Sequence, residues 1–361
     1  MNERKNEASW SESRLRWRID VQRNGQRRTF YSAQQGRRGK LEAERKADEW
    51  LNGGRKKEMR VGELCKLYLD GIDTGHSSCH RLREESIINT WILPYWEHLK
   101  VDSLTNLDYK AAIYRPAECQ PPRSKRTCGH VRSVISALYN TALMANVEMV
   151  PPYRLPLPKA ATVKEHQVLT NAEFKRLLTE GNQYWYIHAF RFIAVLGLRR
   201  GELCGLRRED LDGNLLTIRR SVNNLGETTV GKTASAQRQI FLPKMARQIL
   251  RDQRKQMMSA GIASEWLFAN TNGEQIEPNA LYNRWVFLRD RLELPPISIH
   301  DLRHTMISTV KNDVELPLIK SVVGHTPKMD TLGTYGHDTG NDAETAAAEI
   351  DAVFDRILQT R

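Results

Sequence analysis

Residues 300–304 read His300-Asp301-Leu302-Arg303-His304; Gly324-His325 and Tyr335 follow, all downstream of Gly197-Leu198-Arg199-Arg200-Gly201-Glu202. Such a set suits attack on a phosphodiester by a protein hydroxyl. Two guanidiniums can each grip a phosphate oxygen in a planar fork, imidazoles can move or share protons, and a phenol can act as nucleophile. None of these groups needs a metal. His300 and His304 are four apart on one helical face, which is also the spacing of a zinc pair. Asp301, however, stands where a metalloprotease helix carries Glu, and Arg303 between the imidazoles would repel a cation, so a phosphate fits better. Glu202 lies three residues after Arg199 and can hold its guanidinium or cap the local backbone. On its own, Arg199-Arg200 reads as a surface pair.

The elements that must position these groups are mostly helical. An apolar helix over 184–196 ends at Gly197, so Arg199 can leave the core for a cleft. Thr170-Asn171-Ala172-Glu173 has the spacing of a capping box ahead of a first helix. Strand-like runs over 215–222 and 239–242 flank a polar turn region with Gly226, Gly231 and Lys232. Further helices are expected over 244–260, 278–292, 300–312 and 315–323. In the tail, Ile350, Val353, Phe354, Ile357 and Leu358 form one helical stripe. That stripe reads as a face that packs on its own domain. One small sheet in a mainly α domain is the expectation here.

Upstream, residues 14–31 alternate. Leu15, Trp17, Ile19 and Val21 share one face and Arg14, Arg16 and Arg18 the other, and Asn24-Gly25 supplies a type I′ turn before a second strand from Arg27 to Ser32. Gly36-Arg37-Arg38-Gly39 breaks the pattern, and a helix is expected over 41–51. An arginine-lined ribbon of this kind has the width to enter a major groove; the alternative is a merely solvated hairpin. Residues 61–149 carry helical periodicity, with a basic segment, Arg123-Ser124-Lys125-Arg126, leading into the last long helix. Prolines over 151–158 make the best linker in the chain. Three domains are thus expected: 1–57, basic sheet plus helix; 58–158, a helical bundle; and 159–361, mostly α with a small antiparallel sheet and a tail helix.

A chain of 361 residues accommodates several domains, and its net charge of +12 with a pI near 9.5 favours a polyanionic partner, nucleic acid ahead of an acidic membrane surface. The N-terminus lacks the apolar core of a signal peptide, and the longest apolar stretch, 192–198, is far too short to span a bilayer. A soluble, intracellular protein without a membrane partner is expected. Five cysteines, odd in number and without a C-x-x-C pair, indicate neither a disulfide framework nor a zinc ribbon.

Five blocks in series resemble the tyrosine recombinase (integrase) family. They are Gly197-Leu198-Arg199 with Glu202, Gly231-Lys232-Thr233 followed by Arg238, His300 with Arg303-His304, Gly324-His325, and Thr331 with Tyr335 and His337. Together they cover about residues 165–340. The basic hairpin and the bundle resemble, more loosely, the arm-binding and core-binding domains of integrases from phages and integrative conjugative elements. The resemblance implies that Tyr335 attacks the scissile phosphate, displacing a 5′-hydroxyl and leaving a 3′-phosphotyrosyl link. Arg199 and Arg303 would clamp the non-bridging oxygens, His325 would add a hydrogen bond, Lys232 would protonate the leaving oxygen, and His300 would assist proton transfer at the tyrosine. Glu202 would support the site, and His304 and His337 would either buttress the cleft or touch DNA. Arg16, Arg18, Arg27, Arg28, Lys125, Arg126 and Arg238 would contact DNA.

No cofactor is implied, because the phosphotyrosyl link conserves the bond energy. The implied partners are double-stranded DNA attachment sites, a homotetramer built by exchange of C-terminal tails, and an excisionase or DNA-bending protein, in a bacterial cytoplasm at the nucleoid. A chromosome-dimer resolvase of the same family and a type IB topoisomerase are the alternatives.

Overall fold

The computed structural model describes residues 6–23, 25–51, 58–72, 78–159, 167–230, 237–324 and 342–359. The chain divides into two compact units, Met1–Lys164 and Glu165–Arg361.

The first unit opens with a three-stranded antiparallel sheet, β1 (Ser9–Ser11), β2 (Arg16–Arg23) and β3 (Gln26–Ser32), in that order. Ile19 and Val21 face α1 (Gly36–Leu51) and form a small core with Ala43, Ala47 and Leu51. This helix begins earlier than expected, because the Gly36–Gly39 stretch does not break it. A Cβ at Gly39 would lie 1.6 Å from the Gln34 carbonyl oxygen, so this glycine marks a close approach of backbones rather than a helix stop. Leu15 also departs from its expected place in the strand: at φ 47° and 64% exposed, it precedes β2 instead of joining the apolar face.

A second core in this unit belongs to α2 (Val61–Ile72), α3 (Ser78–Trp91), α4 (Leu93–Trp96), α5 (Asn106–Glu118) and α6 (Lys125–Met144), with Leu64, Ile88, Trp96, Tyr109, Val131 and Leu138 inside it. The proline-rich segment is tied to this bundle. Tyr109 donates to the Val150 carbonyl oxygen at 3.0 Å, and Asn106 exchanges hydrogen bonds with Pro151 and Tyr153.

The second unit is built around α8 (Ile187–Leu196), every residue of which is buried. The Thr170–Glu173 capping box forms as expected and opens α7 (Asn171–Thr179). Arg191 of α8 reaches back to the end of α7, donating to the Leu177 and Glu180 carbonyl oxygens that a helix terminus leaves without internal partners. After α9 (Arg200–Cys204) come β4 (Leu211–Asp212), β5 (Leu215–Ile218), β6 (Arg220–Val222), β7 (Thr228–Val230) and β8 (Arg238–Phe241). The run expected as one strand over 215–222 is divided at Arg219. β5 pairs with β4 and β8, whereas β6 pairs with β7, so the small sheet is a three-stranded sheet plus a two-stranded ribbon.

Four longer helices complete the fold: α10 (Lys244–Ser259), α11 (Pro278–Arg291), α12 (Ile299–Val310) and the tail α14 (Asp342–Gln359), with the short α13 (Leu316–Val323) between the last two. In the single chain the tail stripe is buried on its own unit. Ile350, Val353, Phe354 and Ile357 join the core, and Phe354 meets Phe174 edge-on at 5.7 Å. Asp351 accepts hydrogen bonds from the backbone N–H groups of Lys244 and Met245. It thereby caps α10, whose N-cap residue is Pro243 and has no side chain able to do so.

Candidate active site

Four helix ends meet around the arginines. α8 stops at Gly197, whose φ of 63° is a left-handed conformation that costs a Cβ-bearing residue dearly, and a Cβ there would also meet Val323 at 3.0 Å. Arg199 follows at the start of α9. α12 begins with a capping box between Ser298 and Asp301, which gives the buried Asp301 a structural duty and aims Arg303 inward. α13 ends at Gly324 with φ 71°.

Arg303 crosses between two of these ends, its Nη1 donating to the Gly197 carbonyl oxygen at 2.6 Å and the Val323 carbonyl oxygen at 2.7 Å. Arg199 donates from Nη2 to the Gly324 carbonyl oxygen at 3.1 Å and from Nη1 to Glu202 at 2.7 Å. Glu202 does both things open to it in the sequence, since it also accepts from the Arg199 backbone N–H at 2.9 Å.

Burial separates the two guanidiniums. Arg303 is 2% exposed, and burial, reinforced by repulsion from Arg199 and Arg238 and opposed by Glu202, brings its pKa down to about 10. It remains a cation at neutral pH. Its Nη2 is buried and has no hydrogen-bond partner among the described residues. The Arg199 side chain, by contrast, is 43% exposed. Glu202 stays ionised: burial pushes its pKa up, but hydrogen bonds and charge from Arg238, with donors from Arg199, hold it below its ordinary 4.5. The result is a cationic pocket with one sunken guanidinium and one within reach of solvent, an arrangement that accepts an anion with several oxygens.

His300 is exposed and His304 half-buried, with their rings in edge contact at 4.8 Å. Among the described residues no three His, Cys, Asp or Glu side chains converge as a metal site would require. Lys232, His325, Tyr335 and His337 lie outside the described residues.

The expected DNA contacts fall into different environments. Arg16, Arg18 and Arg27 share the face of the sheet away from α1, where Arg16 stacks on Tyr31 at 4.3 Å and Asp20 bridges Arg18 and Arg27. Arg28 does not join them. It stands opposite Val21 and beside Phe30, on the α1 side of the sheet. Counting back from the Asn24-Gly25 turn gives this register, so the signal was present in the sequence. Lys125 and Arg126 form the first turn of α6, and Arg126 is exposed.

Arg238 is the largest departure. Its side chain is 7% exposed, its Nη1 and Nη2 grip Glu202 at 3.1 and 2.9 Å, and its Nε donates to the Val322 carbonyl oxygen at 2.7 Å. A side chain so committed is part of the wall of the pocket, not a surface contact for a DNA backbone. The second half of the Glu202 bridge was invisible in the sequence, since 36 residues separate the two partners.

Comparison with known proteins matches residues 167–341 to the phage integrase family. A Mycobacterium tuberculosis protein named as the prophage phiRv2 integrase is 27% identical over 228 residues, 60% of this chain and 60% of its own length. The shufflon-specific DNA recombinase of Escherichia coli is 28% identical over 251 residues, 66% of this chain and 59% of its own length. The matches thus span about three fifths of the length of these curated relatives. A XerC-like tyrosine recombinase of Caldanaerobacter subterraneus is 20% identical over 373 residues, covering 91% of this chain and 92% of the relative.

Two solved structures share the fold. The Tn1549 transposon integrase in complex with transposon right end DNA has a TM-score of 0.64 at 20% identity, covering 80% of this chain and 98% of that one. A lambda integrase tetramer bound to a Holliday junction has a TM-score of 0.59 at 16% identity, covering 94% and 99%. Residues 167–341 thus carry a phage integrase (tyrosine recombinase) domain.

Proposed function

We propose that the chain is a site-specific DNA recombinase that cuts and rejoins duplex DNA through a 3′-phosphotyrosyl link to Tyr335, integrating and excising a mobile element. One observation carries the reading: among the described residues, the buried Arg303 has an unpartnered Nη2, and the only anion near it and the half-exposed Arg199 is an already saturated Glu202. In this reading a phosphate completes the set. The Tyr335 oxygen forms a bond to phosphorus as the bond to the 5′-oxygen breaks. His300 takes the phenolic proton, and Lys232 supplies one to the departing 5′-oxygen. Arg199, Arg303 and His325 hold the non-bridging oxygens, where charge accumulates in the transition state. Each preorganised donor of this type is worth about 10²–10³-fold in rate. Attack on the same phosphorus by the 5′-hydroxyl of another strand expels Tyr335 and exchanges strands without an external energy source.

Residues 1–57 are assigned to arm-type sites and 58–158 to core sites on the DNA. The lambda tetramer on a Holliday junction supports a tetrameric assembly, in which the α14 stripe leaves its own unit and docks on the next protomer. An excisionase or a DNA-bending protein is the expected helper, and nucleoid DNA in a bacterial cytoplasm the expected setting. The long match to the XerC-like recombinase favours a second reading, a chromosome-dimer resolvase. Removal of residues 1–57 separates the two, since a resolvase keeps full activity and an arm-dependent integrase loses it.

The central test is Tyr335→Phe on a nicked suicide duplex, where transfer of the cut strand to a second duplex also excludes simple topoisomerase action. Loss of the covalent protein–DNA adduct with retained DNA binding is expected. An undiminished adduct overturns the assignment of the nucleophile.

A further inference from the structure

We infer that Arg238 is a positioning residue of this active site, which holds both Arg199 and the C-terminal end of α13 in place through Glu202 and the Val322 carbonyl group. The inference rests on the recombinase reading for its assay, but its geometry stands apart from it. Three successive carbonyl oxygens at the end of α13, those of Val322, Val323 and Gly324, accept hydrogen bonds from Arg238, Arg303 and Arg199 respectively. The last carbonyl groups of a helix lack internal partners and carry the negative end of its dipole, so guanidiniums are drawn there.

The three arginines are not equivalent. Arg303 keeps a buried Nη2 without a partner among the described residues, and the Arg199 side chain is 43% exposed, so both can still receive a ligand. Arg238 is 7% exposed, with its Nε and both Nη atoms engaged. Glu202 is the hub: it accepts from Arg199 Nη1, the Arg199 backbone N–H and both Nη atoms of Arg238, which fills the roughly four acceptor positions of a carboxylate. Without Arg238, Glu202 is held from the Arg199 side only, and the Val322 carbonyl oxygen loses its charged donor. Both changes loosen the frame that aims Arg199 and Arg303 at one anion, and also the helix end from which the chain continues to His325. Lysine cannot replace this fork, because one ammonium cannot span the two carboxylate oxygens and the carbonyl oxygen in a fixed plane.

The experiment uses the full chain. Wild type is first presented with a library of nicked duplexes of randomised sequence, and the duplex it captures covalently becomes the probe. Arg238→Lys and Glu202→Gln are then compared with wild type for duplex affinity, for the salt dependence of that affinity, and for the rate of adduct formation at saturating DNA. Thermal unfolding confirms that each variant folds, and low concentrations of guanidinium ion are added to Arg238→Ala. The expected result is a rate about 10–100-fold lower for Arg238→Lys, the range found when a group that orients a functional residue is lost. Affinity and salt slope stay unchanged, and guanidinium partly restores Arg238→Ala. An Arg238→Lys rate equal to wild type overturns the inference. So does a weaker affinity with a shallower salt slope and a normal rate at saturation, which makes Arg238 a DNA-backbone contact. Failure of wild type to capture any duplex overturns the recombinase reading instead.

Discussion

Asp20 in the first unit and Glu202 in the second are each a carboxylate that bridges two arginines, and these two bridges differ in how deeply they are buried. In the N-terminal sheet Asp20 joins Arg18 and Arg27, whose side chains are 47% and 70% exposed. In the second unit Glu202 joins Arg199 and Arg238, and the side chains of both Glu202 and Arg238 are almost wholly enclosed. The same ion-pair chemistry therefore serves opposite ends. On the sheet, water screens the pair, and Asp20 does little more than keep two arginines splayed on one face, where a polyanion can reach them. In the pocket the carboxylate is fixed by four donors, so the arginines it holds become a scaffold with a defined direction. Arginine on a basic protein is not by that fact a contact for a polyanion.

Removing each carboxylate should expose the contrast most strongly. Glu202→Ala leaves Arg199, Arg238 and Arg303 as neighbouring cations with their common partner gone. Breaking a buried pair from one side costs about 3–5 kcal/mol. Asp20→Ala removes a half-buried carboxylate whose arginine partners are exposed, and should cost less than about 1 kcal/mol. Thermal unfolding of the full chain measures both, and equal losses would show that burial is not what separates the two bridges.

Acid titration sharpens the same comparison at a smaller scale. Both carboxylates have folded pKa values below their ordinary ones: Glu202 because Arg238 and Arg199 outweigh its burial, and Asp20 chiefly through the Thr29 hydroxyl, then Arg18 and Arg27. A carboxylate so lowered binds fewer protons when folded than when unfolded. Its stabilising contribution is complete above the ordinary pKa and is lost as pH falls through the folded value. The window thus opens below 4.5 for Glu202 and below 3.8 for Asp20. The stability difference between wild type and Glu202→Gln should narrow as pH drops from 5 toward 3, while Asp20→Asn should show a weaker effect that begins lower. A pH-independent difference for Glu202→Gln would mean that its charge is not what holds the arginines.

How much of this was legible in the sequence depended on the range of the contacts. The hairpin, its register, the Thr170–Glu173 capping box and the tail stripe all rest on residues within a few positions of one another, and each formed where local pattern placed it. The capping role of Glu202 is of the same kind. Arg238 was given a DNA contact by the family resemblance alone, because nothing in its local sequence marks it for burial. Its burial is imposed by Glu202, 36 residues upstream, and by α13, 84 residues downstream. The division of the strand at Arg219 is equally non-local: β5 has partners in β4 and β8, β6 has its partner in β7, and no single alternation over 215–222 encodes that change.

The smallest effect on stability is expected to be the most telling about partners. Arg18→Ala and Arg27→Ala remove exposed side chains, so each should change stability by no more than about 0.5 kcal/mol. Each phosphate contact on duplex DNA releases about 0.9 of a counterion, so losing one should lower the slope of log affinity against log salt by about that amount. Arg18→Ala and Arg27→Ala should then weaken duplex binding and flatten its salt dependence while leaving the fold intact. Arg28→Ala, on the opposite face, should leave the slope unchanged, as should Arg238→Lys. Titrations of these variants against a duplex at several salt concentrations decide the matter. If Arg28 rather than Arg18 carries the slope, the α1-flanked side of the sheet is the one that meets the polyanion, and the solvent-facing bridge at Asp20 serves stability alone.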